Sequence, residues 1–466
     1  MTVYFDPTNL PLVKQHTYSQ IGSAKNSKRI WLEGGRLSDC GFTKGVAIAV
    51  HYNPDNFQLT FVRDPKATKV VSGRVSRTTG RATPIIDLRD KGFPAVGTRI
   101  RVTFMDGVIV VSLHHEDRKR LDREKRLLAI ASGKRVMKEG SLCTGIGVST
   151  LAAHETLHAG GINTQVDWVI DIEGKYLNIA SLNNPAITKN TQLIVGALEE
   201  VEPELLSQVD FLTVSLPCTG FSLSGRSKLG LSCGEAHPSA ATAVFGAIQI
   251  IKQTNPSIIL SENVTQAMGS ATYMLLIAEL QRLGYTIKES ILSGADAGTL
   301  ENRERYFFVA LSNGVSHLFD FANIEPKVKV FTTMGDIMAP SWETADMWKT
   351  YDYLDTKAAR DLKAGKGFKR QFATPETETI GVCGRGYAKA RSTECFWKRS
   401  DGLQRLLTTT EHAKVKLIPE KLVDGVSARV AHEGLGQSIL FPHVVLLIER
   451  VVEGLRNLAR SVPTFA

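Results

Sequence analysis

The chain reads as an α/β protein with a doubly wound, mostly parallel sheet, preceded by a β-rich domain and interrupted by a small irregular region. Three observations carry this. After Gly140, apolar strands alternate with helical segments, as in "VDWVIDIEGKYLNIASLNNP" and "VDFLTVSLPCTGFS", the pattern of parallel strands joined by helices. Residues 28–114 instead show period-two alternation between turn signals, as in Thr98-Arg-Ile-Arg-Val-Thr-Phe104. From 313 to 402 the periodicity is lost and a basic, glycine-containing stretch appears, "LKAGKGFKRQFATPETETIGVCGRGYAKAR".

These textures divide the chain into an N-terminal extension (1–27), a β-rich domain (28–114) and a charged helix or linker (115–139). A main α/β domain follows, built from 140–312 and 403–466, with the irregular region (313–402) inserted in it. The β-rich part repeats itself. "GFTKGVAIAVHYNPDNFQLTFV" (41–62) and "GFPAVGTRIRVTFMDGVIVVSL" (92–113) each run from Gly-Phe through strand, turn and second strand, which predicts a pseudo-symmetric pair. The stretch "HEDRKRLDREKRLLAIASGKRVMK" is expected to be a solvated connector.

Composition excludes several classes. With 466 residues, the chain exceeds one ordinary domain. No stretch approaches the roughly 18 apolar residues of a membrane span, and "MTVYFDPTNLPLVKQ" has no secretory pattern, so the expectation is cytoplasmic, with no membrane partner. The six cysteines, Cys40, Cys143, Cys218, Cys233, Cys383 and Cys395, lack CxxC or CxH pairing. Neither structural zinc nor a disulfide framework is expected, and the metal prediction is none. A net charge of +9 suits a polyanionic partner.

Five stretches carry chemistry. In "LCTGIGVST", Gly145-Ile146-Gly147 follows a strand and opens a helix, where a nucleotide-like ligand meets backbone N–H groups. A plain tight turn is the competing reading. Asp171 closes the next strand, where an acid holds ribose hydroxyls, with Glu173 as its competitor. Pro217-Cys218 ends a buried-looking strand, so the thiol lies where open α/β sheets bind ligands. A helix N-terminus and arginines nearby would make its thiolate usable. "IILSENV" places Glu262-Asn263 after another strand, and "ENRERYFFVAL" places Arg303 and Arg305 at alternate positions, directed to one face.

In this order the motifs resemble the DNA (cytosine-5) methyltransferase family. They are Gly145-Ile-Gly147, Pro217-Cys218-Thr-Gly220-Phe221-Ser222, Glu262-Asn263-Val264, Arg303-Glu-Arg305, and Gly436-Gln437-Ser438 with Pro442. The resemblance spans residues 140 to 460 and implies a class I methyltransferase, Rossmann-like fold with S-adenosylmethionine as cofactor. It implies Cys218 as the nucleophile at C6 of a flipped-out cytosine, Glu262 as hydrogen-bond donor or acid at N3, and Arg305 at O2. Arg303 would order the loop or contact phosphate. It further implies donor contacts from Gly145, Ile146, Gly147, Asp171, Ile172, Pro217, Gln437 and Ser438. Region 313–402 would be the target-recognition domain on double-stranded DNA, with Lys366, Lys369, Arg370, Arg385, Tyr387, Lys389 and Arg391 as contacts. The β-rich domain, residues 28–114, resembles AbrB-type and SymE-type swapped-hairpin domains, which implies DNA contact, self-association or autoregulation of expression. A partner restriction nuclease stays open.

The chain departs from the family pattern mostly on the donor side. Cys143 stands where an aromatic ring is usual, Ala197 where an acid accepts from the adenine amine, and Leu300-Glu301 where Pro-Gln is usual. Thr219 and Gln437 are also off-pattern, replacing Gln and Asn. Trp168 or Ile172 would supply the missing apolar contact. Competing readings are a DNA-binding regulator with a decayed donor site, an RNA cytosine-5 methyltransferase, and an enzyme acting on a free pyrimidine nucleotide.

Overall fold

The computed structural model describes residues 11–75, 80–217, 238–322, 324–363, 365 and 370–461, with side chains in the helix beginning at Pro238 described from 242. Cys218, the rest of its motif (219–222), Cys233, Lys366 and Lys369 lie outside the described residues. The chain forms two compact units, 1–121 and 122–466.

Among the described residues, the first unit is built from nine strands. They are β1 (Val13–Gln20), β2 (Gly22–Ala24), β3 (Ser27–Glu33), β4 (Ile48–Asn53), β5 (Gln58–Arg63), β6 (Ser72–Val75), β7 (Ala82–Asp90), β8 (Arg99–Met105) and β9 (Val108–Leu113), with the short helix α1 (Gly35–Asp39) after β3. They form two sheets, ordered β1-β8-β9-β5-β4 and β2-β3-β7-β6. The sequence repeat is visible in the pairing. β5 runs antiparallel to its counterpart β9, with Leu59 opposite Val111 and Thr60 opposite Val110. Because the repeats are offset by 51 positions, Leu59 and Thr60 each face the counterpart of the other, as a local two-fold between them demands. Alternate apolar residues, among them Phe61, Ile86, Val102 and Ile109, close one core.

The unit boundary falls within α2 (His115–Ala131). The expectation of a solvated connector is corrected here. Arg123 and Arg126 are only 2% and 7% exposed. Arg123 donates to Ser312 Oγ (2.9 Å) and to the Leu283 and Gly284 carbonyls. Arg126 lies 2.8 Å from Asp210, which is fully buried at the foot of a strand. Charge density alone mistook inward arginines for a solvated face, because each finds several acceptors that repay its desolvation.

In the second unit seven strands make one sheet: β10 (Met137–Leu142), β11 (Thr164–Asp171), β12 (Gln192–Val195), β13 (Phe211–Val214), β14 (Ile258–Asn263), β15 (Tyr285–Leu292) and β16 (Arg305–Ser312). Their order is β12-β11-β10-β13-β14-β16-β15. β10 to β14 pair in parallel, and β16 runs antiparallel to both its neighbours. Successive strand residues alternate between two cores. Phe211, Ile258 and Phe307 face one, while Leu212, Ile259 and Phe308 face the other. Helices cover both faces, which is why the strands read as continuous apolar runs. α3 (Val148–Ala159) and α4 (Gly174–Asn183) contribute to the first core, and α5 (Pro238–Thr254) and α6 (Ala271–Arg282) to the second.

The one-turn α7 (Gly294–Ala297) links β15 to β16, and after β16 the chain leaves the sheet for a small body. It contains α8 (Ser341–Thr344), α9 (Asp352–Lys363) and a three-stranded sheet of β17 (Gln371–Ala373), β18 (Cys395–Lys398) and β19 (Gln404–Arg405). Helices α10 (Thr409–Lys414), α11 (Ala428–Gln437) and α12 (Phe441–Ser461) bring it back. α12 joins the core of α3, and a side chain at Gly160 would meet Val452 at 2.6 Å. Among the described residues no single helix is long and apolar enough to cross a membrane. The bent pair α11–α12 passes on length and composition only, and its apolar residues lie in the core.

His443 opens a test of this packing. It is fully buried on α12, its ring 5.3 Å from that of Phe307, with Nε2 2.9 Å from the Ser293 carbonyl oxygen. Burial lowers its pKa to about 4, with Arg305 and Arg303 adding to the fall and the Ser293 bond and Asp296 opposing it. The unfolded chain takes a proton near pH 6.5 that the folded chain refuses, so stability is lost as pH falls below about 6.5. Between pH 7.5 and 5.5, His443→Asn is expected to lose about 1.3 kcal/mol less unfolding free energy than the parent. Urea unfolding at the two pH values checks this.

Candidate active site

The first half of the site is the turn after β10. Cys143, Gly145 and Gly147 have φ of 56°, 57° and 81°, the left-handed region that glycine enters freely and that costs a cysteine about 1 kcal/mol. Gly147 caps α3 without any side-chain cap, so the first N–H groups of the helix stay open to a ligand. The turn is held by Asp171, at the end of β11. Its carboxylate accepts from Gly145 N (2.7 Å) and Glu173 N (2.9 Å). Burial raises the Asp171 pKa, while these two backbone bonds pull the other way.

Around this turn the expected donor residues divide. Ile172 is 66% exposed and Val195, opposite Asp171 on β12, is 60% exposed. That leaves an unfilled apolar surface beside a buried carboxylate, a fit for an adenosyl group. Gln437 Nε2 lies 3.7 Å from the point where a Gly145 side chain would start, so the late motif does reach the turn. Ser438 spends its hydroxyl on the Gly434 carbonyl (2.7 Å). Ile146 turns its side chain into the core, leaving only backbone on the turn. Trp168 is corrected. It is fully buried opposite Gly140, its indole donates to the Ser207 carbonyl (3.0 Å), and it has no surface to offer a ligand. Ala197 brings no acid, and the Cys143 thiol is held neutral, its pKa pushed up by burial and then by Asp171 and Glu199.

The second half gathers where β13, β14 and β16 meet. Glu262 on β14 and Arg305 on β16 form an ion pair at 3.0 Å, their side chains 16% and 13% exposed. Burial raises the Glu262 pKa, and Arg305 and then Arg303 oppose the rise. The opposed strands set this up, because β14 and β16 pair with Glu262 opposite Phe307, two residues along from Arg305. Asn263 is buried and uses its whole amide. Nδ2 donates to the Leu216 carbonyl (3.0 Å) and to Tyr273 Oη (2.9 Å), and Oδ1 accepts from Val264 N. It therefore pins the strand end that leads through Pro217 to Cys218. Asn263→Ala is expected to cost about 1–3 kcal/mol and to lower turnover while donor affinity is kept, as unfolding and steady-state kinetics would show.

The two arginines part company. Arg303 precedes β16 and is 3% exposed, bonding Glu301 (3.2 Å) and the Gly436 carbonyl (3.3 Å). It has no surface for phosphate, so that expected contact is corrected, and the loop it was expected to order lies outside the described residues.

In region 313–402, Tyr387 and Arg370 are corrections. Tyr387 is fully buried, donating to the Cys395 carbonyl (2.6 Å) and accepting from Leu407 N (2.9 Å). Arg370 lies over Phe372 and Phe396 and pairs with Asp355 and Gln404. Arg385 is exposed and pairs with Glu173 (3.3 Å), beside the donor turn. Lys389 and Arg391 are exposed, and Lys389 shares with Arg385, Leu406, Arg429, His432 and Glu433 a cleft of about 520 Å³. The sequence reading missed the role of Asn263 and the buried partners Glu301 and Lys416. A lysine inside the apolar run Val415-Lys416-Leu417-Ile418 was the signal available.

Comparison with known proteins agrees with this geometry. The family model for C-5 cytosine-specific DNA methylases matches residues 137–453. The type II methyltransferase M1.ScrFI of Lactococcus lactis subsp. cremoris is 25% identical over 270 residues, covering 56% of this chain and 67% of the relative. M.NlaX of Neisseria lactamica is 26% identical over 265 residues, covering 56% and 81%. The structure of the Entamoeba histolytica methyltransferase EhMeth superposes with a TM-score of 0.53 at 19% identity, covering 68% of this chain and 98% of that one. For the S. pombe Dnmt2 methyltransferase the TM-score is 0.51 at 19% identity, with 67% and 97% covered. These two likenesses show the fold. The chain belongs to the C-5 cytosine-specific DNA methylase family, S-adenosylmethionine-dependent enzymes that methylate C5 of cytosine in DNA.

Proposed function

We propose that Cys218 is the nucleophile and that Glu262 and Arg305 activate the base. Cytosine C5 is too weak a nucleophile to take a methyl group unaided. Addition of the Cys218 thiolate at C6 pushes electron density onto C5. Glu262, its pKa raised by burial, donates to N3 and stabilises the adduct. Arg305 holds O2 while keeping Glu262 in place through their ion pair. S-adenosylmethionine, when bound, supplies an electrophilic methyl group, and the Gly145 turn with Asp171, Ile172 and Gln437 would hold it. Loss of the C5 proton to a base then expels Cys218 and restores the ring. A stacked cytosine is out of reach of such a site, so the base is flipped out of the duplex.

One observation carries the reading. The Glu262–Arg305 pair stands at the ends of β14 and β16, and the next residue, Asn263, holds the Leu216 carbonyl two positions before Cys218, which supports an acid and a cation acting with the thiol. Region 313–402 is proposed as the recognition domain on duplex DNA, and of the expected contacts that are described, Arg385, Lys389 and Arg391 are exposed. Kinship with type II methyltransferases supports a place in restriction–modification. The two-fold pairing in the first unit supports a swapped-hairpin type of module, with accessory DNA contact as its role. A truncation testing that role must keep α2, whose Arg123 and Arg126 are structural.

Transfer of tritium from labelled S-adenosylmethionine decides the reading. Label recovered as 5-methylcytosine from duplex DNA, and not from RNA or free cytidine nucleotides, is expected. Label on RNA alone, or none on any substrate while duplex is still bound, would overturn it.

A further inference from the structure

Where the family pattern has glutamine before the arginines, this chain has Glu301, and Glu301 is fully buried. A lone carboxylate there would be costly. Lys416, equally buried, places Nζ 2.7 Å from Glu301 Oε1, and Arg303 Nη1 lies 3.2 Å from the same oxygen. Arg303 uses Nη2 on the Gly436 carbonyl (3.3 Å). The backbone doubles these ties. Glu301 N donates to the Val415 carbonyl (3.1 Å), and Phe441 N donates to the Lys416 carbonyl (3.2 Å).

Gly436 is pressed from another side as well, since a side chain there would meet the Gly384 carbonyl at 2.2 Å. The next residue is Gln437, whose amide reaches the Gly145 turn. One chain of contacts thus runs from Lys416 through Glu301, Arg303 and Gly436 to the turn. Glu301, Cys383 and His412 also bring ligand-like atoms within 4.8 Å of one another, but a divalent cation there would face the buried charges of both Lys416 and Arg303.

We infer that Glu301 and Lys416 are positioning residues whose buried pair holds Arg303 on the Gly436 carbonyl and so seats Gln437 against the methyl-donor turn. The inference rests on reading the Gly145 turn as the donor site. Neutralising Glu301 alone leaves two buried cations facing each other. Neutralising both partners keeps the net charge of the cluster unchanged, so the pair has a built-in rescue.

The test uses the full chain as wild type, Glu301→Gln, Lys416→Gln and the double variant. Dissociation constants for S-adenosylmethionine are measured by calorimetry, together with KM for donor and duplex, kcat, and thermal midpoints. Glu301→Gln is expected to weaken donor binding and raise donor KM about tenfold, with KM for duplex within about twofold and kcat changed less. The double variant is expected to return donor affinity to within about threefold of wild type. Should Glu301→Gln not fold, Lys416→Gln, which keeps Arg303 on Glu301, carries the comparison with about a threefold loss. Thermal midpoints that fall while donor affinity stays at the wild-type value would overturn the inference, as would a double variant weaker than both singles. Wild type failing to bind the donor at all would instead overturn the reading of the Gly145 turn, and this inference with it.

Discussion

Cys218→Ala is expected to lower methyl transfer by at least about 10,000-fold while binding of duplex and donor stays close to wild type. Without the thiolate no electron density is pushed onto C5, and among the described residues nothing else at the strand ends can supply it. Glu262 and Arg305 stabilise charge once an adduct exists, and neither is a nucleophile toward C6. Arg303 is committed to Glu301 and Gly436, and the Cys143 thiol is held neutral. Retained binding is the informative half of the result, because it separates lost chemistry from a lost fold. Single-turnover transfer on labelled duplex, with a parallel binding titration, measures both.

Glu262→Gln is expected to lower kcat roughly 100- to 10,000-fold. The amide still offers a hydrogen bond but no proton, and it leaves Arg305 without its counter-charge at 3.0 Å. The pH dependence follows from burial. A carboxyl held above its usual range remains a donor nearer neutrality and loses that role as pH rises through its folded pKa. The alkaline fall in kcat/KM that this produces is expected to disappear in Glu262→Gln. Profiles of kcat/KM for the methyl donor, taken for both proteins on saturating duplex from pH 5 upward, check it.

Much of this was legible in the sequence, and the reason is geometric. The doubly wound sheet shows as apolar runs because both faces of β13 and β14 are buried, Phe211 and Leu212 facing opposite cores. The turn after β10 shows in Gly145 and Gly147, which take the left-handed region. Glu262 shows because an acid at the end of the run Ile258-Ile-Leu-Ser261 has no place in a core. What stayed hidden depends on contacts far apart in the chain. Arg123 and Arg126 looked like solvent-facing charges, and only the acceptors brought to them from 209–210, 255, 283–284 and 312 make them interior. Tyr387 and Arg370 sit in a basic stretch whose composition suggested a DNA surface, yet local packing turns both inward. Glu301 looked like a departure weakening the donor pocket until Lys416, 115 residues later, supplied its counter-charge. Composition reports charge, whereas direction is set by neighbours that no single window contains.

The account turns on covalent attack by Cys218, and duplex DNA carrying 5-fluorocytosine tests it most directly. Fluorine at C5 cannot leave as a proton does, so after methyl transfer the thiolate stays bonded to C6. The predicted result is a stable protein–DNA complex that needs S-adenosylmethionine. Peptide mass spectrometry should place the link at Cys218, and no link should form with Cys218→Ala. Methylation of ordinary duplex with no trapped complex, or a link at Cys143 or Cys233, would contradict the account.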